Sequence, residues 1–376
     1  MSRDQYQTPL AMDKQLDVLR CHADGGLLLG ASCMTGRYWL GSLWYYQTPE
    51  AAPNVDKCTA GVQLEAGICD CEWVDGTHIV VGLDTGGIAV WNLEDDYRTF
   101  VLSHAAAGHD GVVTSVSVVC DKTKAASSGT DRCIKLWDLS NASLIYSSQA
   151  HSDAVDCIDC HPSEPEMFVS CGQDDQILLW DRRKSKPASI LKKSPLVHTP
   201  TCVRWQPGNV YKMAVGSEDG QIVILDTRMG VDNYLTSNVH SNSVYRLQFC
   251  PNKPTLLASV GEDCKTVVTQ LDETGLVNIY TDKTHQDFVH GLAWSNESQI
   301  FTCGWDAKVL SHDLTQKTAS VLGKTSTTPA QVNGSLEGYR GEIGAGDRIE
   351  NMDTDPCKQP SYSEVVKAQQ VISAEG

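Results

Sequence analysis

The chain has 376 residues, of which 41% are hydrophobic, and its 47 acidic against 30 basic side chains give a formal net charge of −17. Such a composition can build a sizeable globular core, and no apolar run approaches the length of a membrane span. The start, Met1-Ser2-Arg3-Asp4-Gln5, lacks the apolar stretch of a secretory signal, and so acidic a balance argues against nucleic acid as a direct partner.

Residues 1–13 carry no clear element and read as an N-terminal extension. The first strand is expected over Leu16-Asp17-Val18-Leu19-Arg20-Cys21-His22, ending at the turn Asp24-Gly25-Gly26. A second strand follows over Leu27-Leu28-Leu29-Gly30-Ala31-Ser32, and a third lies between Arg37 and Tyr46 and ends on Trp44-Tyr45. That dipeptide slot recurs as Trp91-Asn92, Trp137-Asp138, Trp180-Asp181, Leu225-Asp226, Thr269-Gln270 and His312-Asp313, at steps of 47, 46, 43, 45, 44 and 43 residues. A period in the forties closing on Trp-Asp is the mark of a β-propeller blade. Within each period the segments alternate apolar and polar residues, as Val155-Asp156-Cys157-Ile158-Asp159-Cys160 does, and no sustained helical period interrupts them. The expectation is an all-β, seven-bladed propeller over residues 14–314, with 5–13 or 315–323 supplying the strand that closes the ring. Residues 324–376 are rich in Ser, Thr, Gly, Gln and Glu with few large apolar side chains, so they read as a disordered tail.

Five blades open with a histidine followed by an aspartate six residues before the dipeptide slot. The pairs are His109 with Asp131, His151 with Asp174, His198 with Asp219, His240 with Asp263 and His285 with Asp306, separated by 22, 23, 21, 23 and 21 residues. A histidine held by a carboxylate is part of a catalytic triad. Five copies argue otherwise, because an active site needs one constellation and a repeat needs one per blade. The pairs therefore read as structural: Asp fixes the ring, a strand hydroxyl such as Ser170 relays, and the Trp indole N–H finds its partner. This arrangement resembles the WD40-repeat family over roughly residues 15–314. Tyr45, Asn92 and Gln270 depart from the family's terminal Asp, and blades one and two lack the opening histidine, so those two need another lock.

The 15 cysteines do not make a disulfide scaffold, since the chain is long and many of them sit inside strand patterns as small apolar residues. A reduced compartment, cytoplasm or nucleus, is expected. Cys157-Ile158-Asp159-Cys160-His161 matches the C-x-x-C-H of haem attachment and would pass as a redox pair, but it occupies an ordinary first-strand slot. No second ligand pair suggests zinc, and neither a phosphate loop nor a nucleophile elbow occurs. The expectation is therefore a binding platform without catalytic residues, metal or cofactor.

Trp39 has no counterpart in the other blades. It lies in Thr35-Gly36-Arg37-Tyr38-Trp39-Leu40-Gly41, a longer, glycine-flanked connection, where it either tucks over the blade edge or anchors an interface; exposed Trp and Tyr beside Arg are common hot-spot residues. After residue 314 the tail holds six basic and eight acidic residues, so about −15 falls on the repeats. An acidic disc suits basic, Arg-rich partners, and solubility accounts for it as well.

Several segments carry a closer resemblance: Asp24 to Ser32, Gly41-Ser42-Leu43-Trp44, Ala60-Gly61-Val62-Gln63, Ile177 to Asp181 with Lys186-Pro187-Ala188-Ser189, and His285-Gln286-Asp287-Phe288-Val289. These resemble the methylosome WD-repeat subunits. The resemblance implies a non-catalytic scaffold that joins a type II protein arginine methyltransferase in a hetero-octamer and helps present histone tails and Sm proteins. It also implies that Trp39, with Arg37 and Tyr38, meets the enzyme. The alternative is a substrate receptor of a cullin ubiquitin ligase, because Trp180-Asp181-Arg182-Arg183 fits the W-D-x-R pattern of such propellers.

Overall fold

The computed structural model describes residues 11–323, apart from 36–37, 150, 185–188, 192–197, 229–233 and 274, and the side chains of 34–39 are likewise left undescribed. The expected tail, 324–376, and most of the N-terminal extension lie outside the described residues.

Among the described residues, twenty-eight strands form seven antiparallel sheets of four, each built from consecutive strands. In blade one these are β1 (Gln15–Cys21), β2 (Leu27–Thr35), β3 (Tyr38–Tyr46) and β4 (Ala60–Leu64). The first strands of successive blades are neighbours around the whole ring, including Val289–Asn296 of blade seven against β1, so they line a central axis. Each sheet buries both faces of its inner strands against the blades beside it, so these strands read as near-continuous apolar runs, such as Leu27-Leu28-Leu29 and Ile177-Leu178-Leu179-Trp180. The apolar clusters accordingly straddle blade boundaries. One joins Leu16, Leu29 and Trp44 of blade one to Ala293, Phe301 and Val309 of blade seven; another joins Val155, Phe168 and Trp180 of blade four to Ala126 and Leu136 of blade three.

The last blade takes its outer strand from Thr318–Val321, paired with Val309–Asp313. No strand is exchanged between blades one and seven among the described residues, and their seam holds by packing and side-chain bonds. The Trp305 indole donates to Asp17 Oδ1 at 2.8 Å, the Cys303 thiol reaches Leu16 O at 3.5 Å, and the Gly323 N–H donates to Glu50 O at 3.1 Å.

Consecutive antiparallel strands put their turns alternately on two rims. The turn between second and third strands shares one rim with the connection that opens the next blade. Every His–Asp pair and the β2–β3 hairpin therefore lie on one rim, and Trp180-Asp181-Arg182-Arg183 lies on the other.

Candidate functional site

The histidine pairs close as buried relays in four blades. In blade three, His109 Nδ1 lies 2.9 Å from Asp131 Oδ1 and Nε2 lies 2.8 Å from Ser127 Oγ, which accepts from the Trp137 indole at 2.8 Å. Blade four repeats this with Asp174, His151, Ser170 and Trp180 at 2.8, 2.8 and 2.9 Å. One proton order satisfies every group: the indole donates to the hydroxyl, the hydroxyl to Nε2, and Nδ1–H to the carboxylate. Close packing explains the glycine at 129, where a Cβ would stand 2.7 Å from His109 Nδ1. Blade six keeps His240 between Asp263 and Ser259, each at 2.8 Å, although Thr269 fills its Trp slot.

Blade seven extends the relay. His285 meets Asp306 at 3.0 Å and Thr302 Oγ1 at 2.9 Å; Thr302 accepts from His312 Nε2 at 2.8 Å, and the Tyr280 hydroxyl donates to His312 Nδ1 at 2.9 Å. His312 stands where other blades carry Trp, and burial lowers its pKa to about 4, which keeps the ring neutral. Its place in the Trp slot was the available sequence signal.

Blade five differs from the buried relay expected. His198 and Asp219 are 3.6 Å apart with side chains 53% and 34% exposed, and Ser217 donates to Asp219 Oδ1 at 2.5 Å instead. Leu225 leaves the Ser217 hydroxyl with no indole to accept from, but Thr269 leaves Ser259 in the same position and blade six keeps its relay. What sets blade five apart is that its His198 ring is exposed and Ser217 bonds Asp219 directly. Blade one has its own lock, which sequence reading missed. The Trp44 indole donates to Ser42 Oγ at 2.9 Å, and Ser42 donates to Asp13 Oδ2 at 2.8 Å. In blade two, Asp84 accepts from the Gly67 N–H at 3.0 Å.

The β2–β3 ladder is longer than its equivalents. In blade three the ladder beside the Trp slot ends at Ser128↔Ile134; in blade one the equivalent pair is Ser32↔Gly41, and Cys33↔Leu40, Met34↔Trp39 and Thr35↔Tyr38 follow. Three extra pairs carry the hairpin about 10 Å beyond its neighbours at the usual rise per residue. The segment read from sequence as an extended connection is thus mostly strand, with Trp39 near its tip. Arg37 and the side chains of Tyr38 and Trp39 lie outside the described set.

The same rim is acidic. Glu65, Asp110, Asp153, Asp175, Glu218 and Asp219 are exposed there. Two of its cations are already committed, Lys265 to Asp263 at 2.6 Å and Lys308 to Asp306 at 3.4 Å.

The axis holds a second set of charges that no motif announced. Asp70 of blade two accepts from Arg20 of blade one at 2.8 Å and from Arg246 of blade six at 3.0 Å. It also accepts from the Val116 N–H at 3.1 Å. Burial alone would raise its pKa, but Arg246, Arg20 and Arg204 hold it down at about 2. Asp159 accepts from the Trp205 N–H at 2.7 Å, and burial raises it to about 7. Glu72 accepts from the Val118 N–H at 2.8 Å. Each carboxylate thus satisfies a backbone donor of the next blade, and these residues rivet the ring. Among the described residues no group of His, Cys, Asp or Glu is arranged to hold a metal ion.

On the opposite rim, Arg183 grips Asp181 through Nε at 2.7 Å and Nη2 at 3.0 Å, and Arg182 pairs with Glu166. Arg228 grips Asp226 in the same way, at 3.0 and 2.7 Å. The W-D-x-R arginine therefore belongs to a turn that is repeated in blade five.

A seven-sheet ring with buried Asp–His–hydroxyl relays in four blades, completed by a Trp indole in two of them, defines a WD40 propeller. The family described as "WD domain, G-beta repeat" matches residues 100–138, 142–181 and 276–313. Each match begins on the outer strand of one blade and ends on the third strand of the next, so the sequence repeat is offset from the sheet and staples neighbours together. "Methylosome protein WDR77" of Xenopus laevis is 39% identical over 308 residues, covering 81% of this chain and 91% of that protein. "Protein valois" of Drosophila melanogaster is 22% identical, covering 76% and 82%. A chain in the solved structure "COPII on membranes, outer coat vertex" superposes with a TM-score of 0.70 at 18% identity over 89% of this chain and 92% of that one, which shows the shared fold. This chain belongs to the WD40-repeat family, in the group of the methylosome WD-repeat proteins.

Proposed function

We propose that this protein is the non-catalytic scaffold and substrate-presenting subunit of an arginine methyltransferase complex. The observation that carries this reading is the likeness to a methylosome protein along nearly the whole propeller. The partner is a type II protein arginine methyltransferase, in a hetero-octamer of the two chains, in cytoplasm and nucleus. The prolonged hairpin of blade one, with Arg37, Tyr38 and Trp39, meets the enzyme. The acidic rim concentrates Arg-rich histone tails and Sm proteins beside the enzyme's active site, since complementary charge raises encounter rates. The polar residues of catalytic type singled out above are engaged in the relays and rivets, which supports a non-catalytic role. The ubiquitin-ligase alternative loses its distinguishing feature, because Arg183 is held by Asp181 just as Arg228 is held by Asp226.

The test is methylation of histone tails by the reconstituted enzyme complex. Asp110→Asn, Asp153→Asn and Asp175→Asn combined should raise KM for the tail several-fold and leave kcat unchanged. An unchanged KM would remove the acidic rim from substrate capture.

A further inference from the structure

The Cys157-Ile158-Asp159-Cys160-His161 motif suggested a thiol pair, and the sheet separates its two cysteines. Cys160 lies in the apolar cluster facing blade three, with its thiol 3.5 Å from Ser117 O. Cys157 lies in the cluster facing blade five. A different thiol shares that face. Cys171, on the second strand of blade four, is directly opposite Cys157 in the ladder and belongs to the same cluster.

The surroundings favour reaction at Cys157. Arg204 of blade five places Nη1 3.4 Å from its sulfur, near the axis, where a guanidinium stabilises a thiolate. The Cys157 pKa is drawn down by a hydrogen bond from the Cys171 thiol and then by Arg204, whereas burial pushes Cys171 well up. Geometry draws the same distinction, since Cys157 is the one of the two thiols within hydrogen-bond reach of the Arg204 guanidinium.

We propose that Cys157 and Cys171 form a peroxide-sensitive dithiol, which a hydroperoxide converts to a cross-strand disulfide. The Cys157 thiolate attacks the O–O bond of hydrogen peroxide. The bond breaks, sulfur is oxidised to the sulfenic acid, and the released hydroxide takes a proton and leaves as water. The Cys171 sulfur then attacks the Cys157 sulfur; its proton and the sulfenic hydroxyl depart as a second water. Two thiols and one peroxide give one disulfide and two waters. Opposed residues on antiparallel strands have Cβ atoms about 4.5–5.5 Å apart against about 3.5–4.5 Å in a disulfide, so closure draws the strands together by roughly an ångström. Oxidation also removes the sulfur's charge from Arg204, which otherwise ties blade five to Ile158 O at 3.2 Å and Asp159 at 3.5 Å. The seam between blades four and five becomes the oxidant-sensitive part of the ring.

The test treats the full-length protein with hydrogen peroxide, alkylates it under denaturing conditions and maps peptides after cleavage at Glu166, which separates Cys157 from Cys171. The expected product is a Cys157–Cys171 link lighter by two hydrogens, with Cys160 and Cys202 still alkylated. Arg204→Gln should slow the link about tenfold, and Arg204→Lys should largely restore it. Oxidation confined to the exposed Cys120, or a link through Cys160 or Cys202, would overturn the proposal. Because the wild-type map decides the pairing, the result does not depend on a variant folding.

Discussion

A buried imidazole between a carboxylate and a hydroxyl must have both nitrogens satisfied, and its removal strands the partners. His151→Ala leaves Asp174 and Ser170 without that partner, so the cost should be about 2–3 kcal/mol by chemical denaturation. His198→Ala touches an exposed ring and should cost less than about 0.5 kcal/mol. Equal costs would mean that the relays do not carry the stability assigned to them. Asp17 gives a prediction in pH. Burial raises its pKa to about 7 from 3.8, against the smaller opposing effects of Trp305 and Ser32. The folded protein therefore binds more protons than the unfolded chain between about pH 4 and pH 7, and this residue's contribution to stability falls as pH rises through that window. Asp17→Asn should accordingly gain stability relative to wild type at pH 8 over pH 5; a difference that does not change with pH would contradict the assignment. Asp70 has the opposite sign, since its folded pKa of about 2 gives stability that is present above about pH 4 and lost as pH falls toward 2.

At the scale of elements, what was legible followed from locality. Strand alternation, Gly and Asp turns and the Trp-Asp slot all act within one blade, and a repeat displays them several times. The His–Asp relays were legible for the same reason, although the pattern did not tell blade five, whose His198 is exposed, from blade six, which lacks the indole too and keeps its relay. Asp13 was not legible as the lock of blade one, because it precedes the first strand and answers a serine on the third. Nor were Arg246 and Asp70, 176 residues apart, since only ring closure brings blade six to blade two. The β2–β3 hairpin is a third case: glycine at 36 and 41 suggested an open connection, whereas the ladder runs on to Thr35↔Tyr38. Those extra pairs lie beyond the sheet shared with other blades. Trp39→Ala should therefore change unfolding free energy by less than about 0.5 kcal/mol, and a large loss would place the side chain in the propeller's own packing.

Over the whole molecule, charge and closure set behaviour. The net charge of −17 is carried mainly by the ring, and exposed carboxylates lie on both rims, the one that bears the hairpin included. The proposed capture of Arg-rich tails by such a field should weaken with salt, because the Debye length shrinks from about 10 Å at 0.1 M toward about 3 Å at 1 M. KM for a histone tail should rise steeply between low and moderate salt, and less so in the triple Asp→Asn variant; parallel salt curves would separate the charge from substrate binding. The enzyme contact should depend far less on salt if it is an aromatic anchor. The most direct measurement is the affinity of the purified methyltransferase for wild type and Trp39→Ala, read by calorimetry beside a thermal melt of each. Anchoring through blade one predicts an unchanged melt with at least about thirtyfold weaker binding, the factor that corresponds to a hot spot of about 2 kcal/mol. Equal affinity with an unchanged melt would contradict it.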